Sequence, residues 1–560
     1  MSFDRCPYRM PMLLLLLLSL AVARPAAAAE NADVILYNGK VFTSDTSHLW
    51  AEAVAVKGNH IQAAGGNAEV LALAGTGTRL LDLKGHVVIP GLNDAHVHAL
   101  VPQGRQLNVP DFLPGPGPTV DDVLALIAQG AATSPPGTWL LVTVGTNFSE
   151  DPRAQRFTID QVAPNHPVKL ELWTGHGMYF NTKGLQDLHI PDNATDPFGG
   201  FYERFPGTGV LNGVVHEYAE HLVRRRFAER LTDAQIAGIY QNFIQTALSF
   251  GFTSVQEMSF GLPHERGVKI LGEVNPAIRW RAICVPLTPD EPCHMGASSA
   301  PLVTPSGIKW VGDGTPIERL AFMSEPYQDR PDTRGRFNFP ADAFTHLVER
   351  GLFAPPKKSQ LLFHLVGDAA VSTLLDEMEA LAPAAHWRHR RTRIEHGDLI
   401  TPADVERVRN LGVVVVQNPT HLALPDLFQR YTPQVTADAQ PLRSLIEAGV
   451  PLAFGTDGIG GSISPFLDLL LAILHPDRPS EALTLEQALI AYTAGSAYAE
   501  FEDDKKGRLV PGQLADLAVL SLDIFASPFA LPTTHSELTM VDGRIVWDTG
   551  VVRAGQPLAR

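Results

Sequence analysis

The chain has 560 residues, of which 45% are hydrophobic and 19% are charged. This composition is that of an ordinary globular protein, and the length allows a large core and more than one domain. The formal net charge of −16 argues against proteins that bind nucleic acid phosphates or anionic membranes by net attraction. We therefore expect no nucleic acid partner.

The first residues have the order of a secretory signal peptide. Arg5 and Arg9 precede the apolar run LLLLLLSLAVA, and the small residues of RPAAAAE follow it. Because the run is short for a membrane span, we predict that residues 1–29 are removed near Ala29. The mature protein is then exported, secreted or periplasmic, without stable membrane insertion. An uncleaved membrane anchor is the alternative.

The two ends of the mature chain share one pattern. Short alternating segments, separated by Gly, Asn and Asp, fill residues 30–88 and return in residues 505–560, which is typical of antiparallel strands and hairpins. We predict that both ends pair into one discontinuous β-sandwich. The segments that carry this prediction are ADVILYNGKVFT, AEAVAVKGNHIQAAG, TRLLDLKGHVVIP, GQLADLAVLSLD and LTMVDGRIVWDTG.

The middle, residues 89–504, alternates short apolar segments with helical patterns, which indicates an α/β fold with a parallel sheet. Eight strand candidates are present, the number that a (β/α)8 TIM-like barrel needs. Residues 103–245 are too long and too rich in strand-like pieces for one connection, so we predict an inserted subdomain after the first barrel strand. The eight candidates are VIPGLNDAHVH, FTSVQEM, WRAICV, GIKWVGDG, LLFHLVGD, TRIEHGD, GVVVVQNPT and VPLAFGTDG.

Two cysteines remain after removal of the predicted signal. Cys284 and Cys293 are nine positions apart, and an oxidising compartment allows them to form a disulfide. Two buried thiols are an equal alternative. Because no CxxC pair exists, we do not expect a structural zinc knuckle.

Metal-capable or titratable side chains lie at or near the ends of five of these strands. His96 and His98 are one residue apart, so a strand directs both imidazoles to the same side. In a barrel, the carboxyl ends of the strands meet on one face, where such side chains converge. Zinc favours imidazole and carboxylate ligands, which predicts a zinc site. The candidates are His96, His98, Lys309, His364, His396 and Asp457.

Lys309 is the unusual member of this group. An ammonium repels a metal ion, whereas a lysine that has reacted with CO₂ carries a carbamate that can bridge two metals. The alternative is an ordinary salt bridge, for example to Asp313. Without further information the residues favour the salt bridge.

The motifs resemble those of the amidohydrolase superfamily, and more narrowly its YtcJ-like branch, which includes N-substituted formamide deformylase. The resemblance covers nearly the whole mature chain. It departs from the branch at Thr456, where Ser is common, at Asn418 and around His176. The motifs are GLNDAHVH, IKWVGDGT, FHLVGDAAVSTLLD, RIEHGDLI, VQNPTHLALPD, AYTAGSAYAE and GRLVPGQLADLAVLSLD.

The resemblance implies a metal-dependent hydrolase that acts on a carbon–nitrogen bond, amide or cyclic amide, of a small molecule. His96, His98 and Asp457 would hold one metal, and His364 and His396 the other. Carbamylated Lys309 would bridge the two; a single-metal version is also possible, so one or two zinc ions are expected. A metal-bound hydroxide would then attack the carbonyl carbon, with Asp457 as the catalytic residue that takes the proton and returns it to the leaving amine.

Further residues receive predictions of their own. His176 and His421 are predicted to orient the substrate or stabilise the oxyanion, with a structural histidine as the alternative for each. Asp313 and Asp368 follow metal-site strands and are predicted to fix the tautomer of a metal-ligating histidine.

Two acidic residues are predicted to lie outside the site. Glu395 precedes His396 in a strand, so we expect the two side chains to face opposite ways and Glu395 not to be a ligand. Glu217, in GVVHEYAEHL, is expected to be a structural residue of a helix in the insertion.

Two other functions remain open. One is an esterase, lactonase or phosphotriesterase that uses the same metal site. The other is a non-catalytic binding member of the fold, which the filled site positions argue against. The substrate, the oligomeric state and the number of metals are not fixed by the sequence, and a homo-oligomer remains possible.

Overall fold

The computed structural model describes residues 30–99, 105–107, 115–423, 430–458 and 463–554. At its centre lies an eight-stranded, wholly parallel sheet in the order β21-β20-β19-β18-β17-β16-β15-β8. The predicted signal, residues 1–29, lies outside the described residues. The barrel strands are β8 (Leu92–Val97), β15 (Phe252–Met258), β16 (Arg279–Cys284), β17 (Val303–Val311), β18 (Leu361–Leu365), β19 (Arg393–His396), β20 (Val414–Gln417) and β21 (Leu452–Phe454).

The two edge strands of this sheet meet and nearly close the barrel. The Asp457 N–H, just after β21, donates to the His96 carbonyl of β8 over 2.8 Å. Thr456 adds hydrogen bonds from its N–H and its hydroxyl to the Asp94 carboxylate, at 3.0 and 2.6 Å. Each of the eight segments singled out in the sequence overlaps one of these strands, which confirms the predicted α/β barrel.

Helices cover the outside of the barrel because they carry apolar residues on one face. The helix α7 (Asp233–Ser249) shows this: Thr232 and Gln235 form a reciprocal cap, and Ile236, Tyr240 and Ile244 are buried at helical spacing. Among the described residues, no helix is long and apolar enough to cross a membrane. The others after α7 are α8 (His264–Val274), α9 (Ala341–Phe353), α10 (Asp368–Leu381), α11 (Ala384–Trp387), α12 (Pro402–Leu411), α13 (Pro433–Asp438), α14 (Leu442–Glu447), α15 (Pro465–Leu474), α16 (Leu485–Ile490) and α17 (Ser496–Ala499).

Both chain ends build a second body of two sheets, in the orders β25-β6-β1-β4-β5 and β24-β23-β22-β7-β2-β3. The C-terminal strand β22 pairs antiparallel with the N-terminal strand β7, which confirms the discontinuous β-sandwich. One detail differs: VIP, predicted as part of the first barrel strand, belongs to β7. The strands are β1 (Val34–Tyr37), β2 (Lys40–Phe42), β3 (Trp50–Ala51), β4 (Ala53–Lys57), β5 (His60–Gly65), β6 (Arg79–Asp82), β7 (Val87–Pro90), β22 (Leu517–Leu520), β23 (Ser536–Val541), β24 (Arg544–Asp548) and β25 (Arg553–Ala554); the short helix α1 (Asn67–Leu71) packs on this body.

The insertion after β8 contains its own six-stranded sheet, in the order β13-β14-β12-β11-β10-β9. Its sheet ends at Glu217, and α6 then leads to α7, which packs against β15. The predicted domain boundaries themselves stay predictions. The elements are β9 (Arg105–Gln106), β10 (Leu140–Val144), β11 (Val168–Leu172), β12 (Gly177–Phe180), β13 (Gly200–Arg204) and β14 (Leu211–Glu217), with α2 (Val120–Ala132), α3 (Thr146–Ser149), α4 (Arg156–Val162), α5 (Thr182–Asp187) and α6 (Tyr218–Ala228).

A disulfide bond joins Cys284, the last residue of β16, to Cys293, with the two Cα atoms 5.8 Å apart. Between the two open alternatives, the structure therefore has the bonded pair. The loop that it closes carries Glu291, which pairs with Arg225 of α6. The bond thus holds a loop that connects the barrel to the helix following the inserted sheet.

Candidate metal centre

His96, His98 and Asp457 bring their ligand atoms within 4.8 Å of one another at the carboxyl end of the barrel. One Asp457 oxygen, Oδ1, lies 3.4 Å from His96 Nε2 and 3.3 Å from His98 Nε2. The sequence predicted these three residues as one metal-binding set, and the fold brings them together.

Hydrogen bonds on the far side of both rings set their orientation. His98 Nδ1 donates to the Met258 carbonyl over 2.7 Å, and His96 Nδ1 lies 2.7 Å from Glu395 Oε2. In each ring this leaves Nε2 directed at Asp457, the arrangement typical of metal-ligating histidines. Burial, together with the Lys309 charge, lowers the pKa of His96 to about 4, so its imidazole stays neutral.

A second set shares Asp457. His396, His421 and Asp457 also lie within 4.8 Å, and His421 Nε2 is 3.6 Å from Asp457 Oδ2. His364 stands beside this set, its ring centroid 4.4 Å from that of His396. The sequence placed His364 and His396 together and gave His421 to the substrate; the structure also brings His421 into reach of the same centre.

Lys309 is buried against the first set, with Nζ 2.9 Å from His96 Nε2. Burial lowers its pKa to about 8, although the Glu395 and Asp457 carboxylates oppose the shift. The alternative of a salt bridge to Asp313 is wrong. The Asp313 carboxylate accepts instead from the N–H groups of Val366, Gly367 and Phe322, each at 2.9 Å.

Asp313 and Asp368 were predicted to fix a ligand tautomer, and neither contacts an imidazole through the hydrogen bonds described. Asp313 holds the loop after β18 through the backbone bonds just given. Asp368, the first residue of α10, accepts from the N–H and hydroxyl of Ser324, the former at 2.8 Å. Both carboxylates therefore fix loops around the site, and the prediction of their targets was wrong.

Glu395 faces the site, contrary to the prediction. Strand alternation fails because His396 has a positive φ of 69°, which turns its side chain to the same side as Glu395. Glu395 is fully buried, holds His96, and pairs with Arg393 over 2.7 Å. Arg393 and the His96 hydrogen bond outweigh the effect of burial and bring the pKa of Glu395 to about 2, so it is ionised.

The insertion contributes His176, whose ring centroid lies 4.7 Å from that of His364. Its Nδ1 is 3.1 Å from Glu217 Oε1. Glu217 is thus wrongly predicted as a helical structural residue: it is the last residue of β14, is fully buried, and contacts a histidine of the site. Burial lowers the His176 pKa, but the Glu217 charge outweighs it and raises the pKa to about 9.

His421 has a carboxylate partner that the sequence reasoning missed. Its Nδ1 lies 2.9 Å from Asp398 Oδ2, and Asp398 follows His396 by two residues in the motif EHGD. Asp398 and Asp457 together overcome the effect of burial and raise the pKa of His421 to about 10. The repeated acidic positions in EHGD were the only sequence signal for this pair.

A pocket of about 400 Å³, counted to its open mouth, ends at these side chains. One part is apolar, and the other is lined by the histidines and aspartates just described. The residues around it are Trp173, Thr174, His176, Thr315, Pro316, Ile317, His364, Val366, His396, Asp398, His421 and Asp457.

The donor set fits a zinc-like ion. His364 Nε2 and His396 Nδ1 are buried nitrogens without a hydrogen-bond partner, an unfavourable state that a metal ligand bond removes. Burial holds the pKa of both histidines well below the usual value, so both imidazoles are neutral and able to donate a lone pair. Imidazoles grouped around a carboxylate are the ligands that zinc prefers.

Comparison with known proteins agrees with this geometry. The model of the Amidohydrolase family (Amidohydro_3) matches residues 79–547. N-substituted formamide deformylase of Arthrobacter pascens is 25% identical over 88% of this chain and 94% of its own length. Putative amidohydrolase YtcJ of Bacillus subtilis (strain 168) is 24% identical over 92% and 99%. An uncharacterized metal-dependent hydrolase from Pyrococcus horikoshii OT3 shares the fold, with a TM-score of 0.67, 22% identity, and coverage of 88% and 98%.

Proposed function

The chain belongs to the amidohydrolase family, and from this premise we propose that it is a zinc enzyme that hydrolyses the amide bond of a small N-acyl amine. The matches confirm the resemblance that the motifs indicated, and with it a metal-dependent hydrolase acting on carbon–nitrogen bonds. The observation that supports zinc is the group of neutral imidazoles, two with unpaired buried nitrogens, around Asp457 at the base of the pocket.

We assign the metal ligands from the two sets. His96, His98 and Asp457 would hold one ion, and the neutral imidazoles of His396 and His364 would hold a second where two are present. A divalent metal in these positions activates water and withdraws electrons from a carbonyl oxygen. Glu395 and the Met258 carbonyl keep the His96 and His98 rings in place for this task.

Asp457 is the residue best placed to move a proton. Its Oδ1 faces His96 and His98, while its Oδ2 faces His421 and the pocket. The neighbouring histidines keep its pKa well below the usual value despite burial, so it starts as a base. It takes a proton from the attacking water and passes it to the leaving amine.

The two histidines with carboxylate partners complete the site. His176 and His421 both line the pocket, and each turns Nδ1 toward a carboxylate, so Nε2 is the atom left for a ligand. His176 is assigned to the substrate carbonyl oxygen, where a hydrogen-bond donor stabilises negative charge that develops during attack. His421, whose pKa Asp398 and Asp457 raise to about 10 despite burial, stays protonated and holds Asp457 Oδ2 from the pocket side.

We propose that the neutral amine of Lys309 adds CO₂ with loss of a proton, and that the resulting carbamate would bridge the two metal positions. Burial lowers the Lys309 pKa to about 8, which increases the fraction of neutral amine available for this reaction, and its Nζ already lies beside His96. We expect Lys309→Ala to lose metal and activity together, with partial recovery of both in millimolar acetate or propionate. Elemental analysis with and without the acid measures this; full metal content in Lys309→Ala would contradict the bridge.

The apolar part of the pocket, with Trp173, Ile317 and Val366, supports a substrate that carries an apolar group beside the scissile bond. The formamide deformylase relative makes N-formyl amines the first compounds to test. Purified, zinc-loaded protein is incubated with N-formyl and N-acetyl derivatives of benzylamine and butylamine, with the matching esters alongside. We expect release of the amine from at least one amide; turnover of the esters alone would contradict amide hydrolysis.

We also propose that the mature protein is secreted or periplasmic. The order of charged, apolar and small residues in 1–29 supports this, as does the Cys284–Cys293 disulfide, a bond typical of oxidising compartments. N-terminal sequencing of the soluble exported fraction is expected to begin near Glu30. An intact Met1 in that fraction would contradict signal cleavage.

A further inference from the structure

We infer that Glu217 is a positioning residue: it joins the inserted sheet to the barrel strand that carries Lys309 and thereby aims His176 at the reacting carbonyl. This inference rests on the proposed hydrolytic function. The insertion would then supply one working group to the active site rather than only a cover for it.

Glu217 has an unusual backbone conformation. Its backbone has φ 56° and ψ −126°, a conformation that residues with a side chain rarely adopt. Such backbone persists where the surroundings force it, commonly at functional sites. Here it bends the chain sharply between β14 and α6, and the side chain, fully buried, points back to the loop that carries His176.

The two carboxylate oxygens of Glu217 have different partners. Oε1 lies 3.1 Å from His176 Nδ1, and Oε2 accepts from Asn338 Nδ2 over 3.2 Å. Asn338 belongs to the barrel side: its Nδ2 also donates to the Val311 carbonyl over 3.1 Å, and its N–H donates to the Gly312 carbonyl over 2.7 Å. One carboxylate therefore contacts the insertion directly and is linked to the end of β17 through Asn338.

The residues around Glu217 also hold its turn and leave room for its side chain. The neighbouring residue Tyr218 accepts a hydrogen bond from the Val311 N–H over 3.0 Å, which ties the same turn to the strand of Lys309. Gly314 leaves room for the carboxylate, because a Cβ at that position would stand 2.4 Å from Glu217 Oε1. The site is thus shaped around an acidic side chain at this place.

The contact with Glu217 fixes the orientation of the His176 ring. With Nδ1 held by Glu217, the ring stands beside His364 and presents Nε2 to the pocket. A small error in the placement of a reacting group costs up to about a hundredfold in rate. Without Glu217 the ring can rotate, so we expect the loss to fall on kcat rather than on folding or metal binding.

The test compares Glu217→Gln, His176→Gln and the double variant as zinc-loaded full-length protein, on an N-acyl amine that the wild type hydrolyses. We expect each single variant to lower kcat by about tenfold to a hundredfold. The kcat of the double variant should lie within about twofold of that of the less active single variant, because both changes remove the same interaction. Zinc content and Tm are measured on all four proteins, and zinc content should stay at the wild-type level.

The control is Asp187→Asn. Asp187 also holds a ring N–H in the insertion, Trp139 Nε1, over 2.7 Å, but neither residue lines the pocket. We expect kcat and zinc content of this variant to equal those of the wild type. A drop in kcat equal to that of Glu217→Gln would show a general effect of loosening the insertion and would overturn the inference.

The outcomes separate the inference from the proposed function. If the wild type hydrolyses no amide, the proposed function fails; if it does but Glu217→Gln keeps its kcat, only the positioning role fails. If the kcat losses of the two single variants multiply in the double variant, the positioning role is also overturned, since Glu217 would then act independently of His176. Should Glu217→Gln not fold, Gly314→Ala displaces the same carboxylate, and the same lack of additivity with His176→Gln is expected.

Discussion

In the part of the chain that the structure describes, the two ends of the barrel interior are both polar but differ in how completely their side chains are paired. The lower end lies toward the start of the strands, the upper end at their carboxyl ends. At the lower end, Arg393 on β19 reaches Gln256 on β15 over 2.5 Å and the Ala95 carbonyl on β8 over 2.7 Å. Neither strand neighbours β19 in the sheet, so this side chain crosses the barrel interior.

The polar side chains named here at the lower end form a paired network. Arg281 donates to Ser306, Gln256 and Gln360, and Glu500 accepts from Asn93 and Lys506 at 2.7 and 2.8 Å. None of these residues has a buried side-chain nitrogen or oxygen without a hydrogen bond. The members of this lower network are Asn93, Ser254, Gln256, Arg281, Ser306, Gln360, Arg393, Glu500 and Lys506.

The upper end differs in this respect. His364 Nε2 and His396 Nδ1 are buried without hydrogen bonds. A fully paired network stabilises one arrangement of a core, whereas unpaired buried donors are costly unless a ligand completes them. The contrast teaches that burial and polarity alone do not mark a site; here unpaired nitrogens on neighbouring neutral histidines distinguish the upper end.

Removal of the first proposed metal-binding set is expected to have the largest effect on the upper end. We expect His96→Ala combined with His98→Ala to lose most bound zinc and to lower kcat by at least about 10³-fold, since the metal supplies several kcal/mol of transition-state stabilisation. Elemental analysis and amide turnover measure both. His86→Ala is the control, because that ring bonds the Leu520 carbonyl in the sandwich and lies away from the site. Equal zinc in the double variant and the control would refute the ligand assignment.

Asp457→Asn separates proton transfer from metal binding. Asn tolerates the positive φ of 59° at this position and keeps one oxygen at Oδ1, so most zinc should remain. It cannot accept a proton, so we expect kcat to fall by about 10²–10⁴-fold, as for the loss of a general base. Steady-state kinetics and zinc content on the same preparation measure the separation. A kcat near that of the wild type would refute the assigned role of Asp457.

The sequence predicted the upper end well because strand ends are visible in a periodic pattern. Eight apolar segments, each read as a strand, place His96, His98, Lys309, His364, His396 and Asp457 on one face, where they lie. The signal was local: each residue lies in, or just after, one of the apolar strand segments. The same reasoning supplied the two-ended sandwich, because both ends carry alternating segments with turn residues between them.

What the sequence did not predict depends on backbone turns and on contacts between distant segments. Alternation predicted Glu395 to face away, but the positive φ of His396 places both on the interior. The strained turn at Glu217 likewise converts an apparent helical residue into the partner of His176. The conformational propensities of residues with a side chain do not predict such a turn, since the surrounding fold imposes it.

Glu395→Gln tests the boundary between the two ends, because Glu395 belongs to both. It holds His96 above and pairs with Arg393 below. The amide cannot accept from both donors, so we expect zinc affinity to fall by about 10–100-fold, together with a lower Tm. Competition with a chelator measures the affinity. Unchanged zinc affinity would show that Glu395 serves only the lower network.

Glu500→Gln is the matched change wholly within the lower network, and the smallest effect on the site is expected there. Like Glu395, Glu500 is a buried carboxylate that partners a buried cation, here Lys506. Loss of the charge weakens that pair and the bond from Asn93, so we expect unfolding free energy to fall by about 1–3 kcal/mol. No metal-capable side chain contacts Glu500 through the hydrogen bonds described, so zinc affinity and kcat should stay within about twofold of the wild type, as for an independent distant site. Thermal unfolding, chelator competition and amide turnover, run beside Glu395→Gln, decide the matter. If Glu500→Gln weakens zinc binding as much as Glu395→Gln does, the two ends act as one network and the distinction between paired and unpaired halves fails.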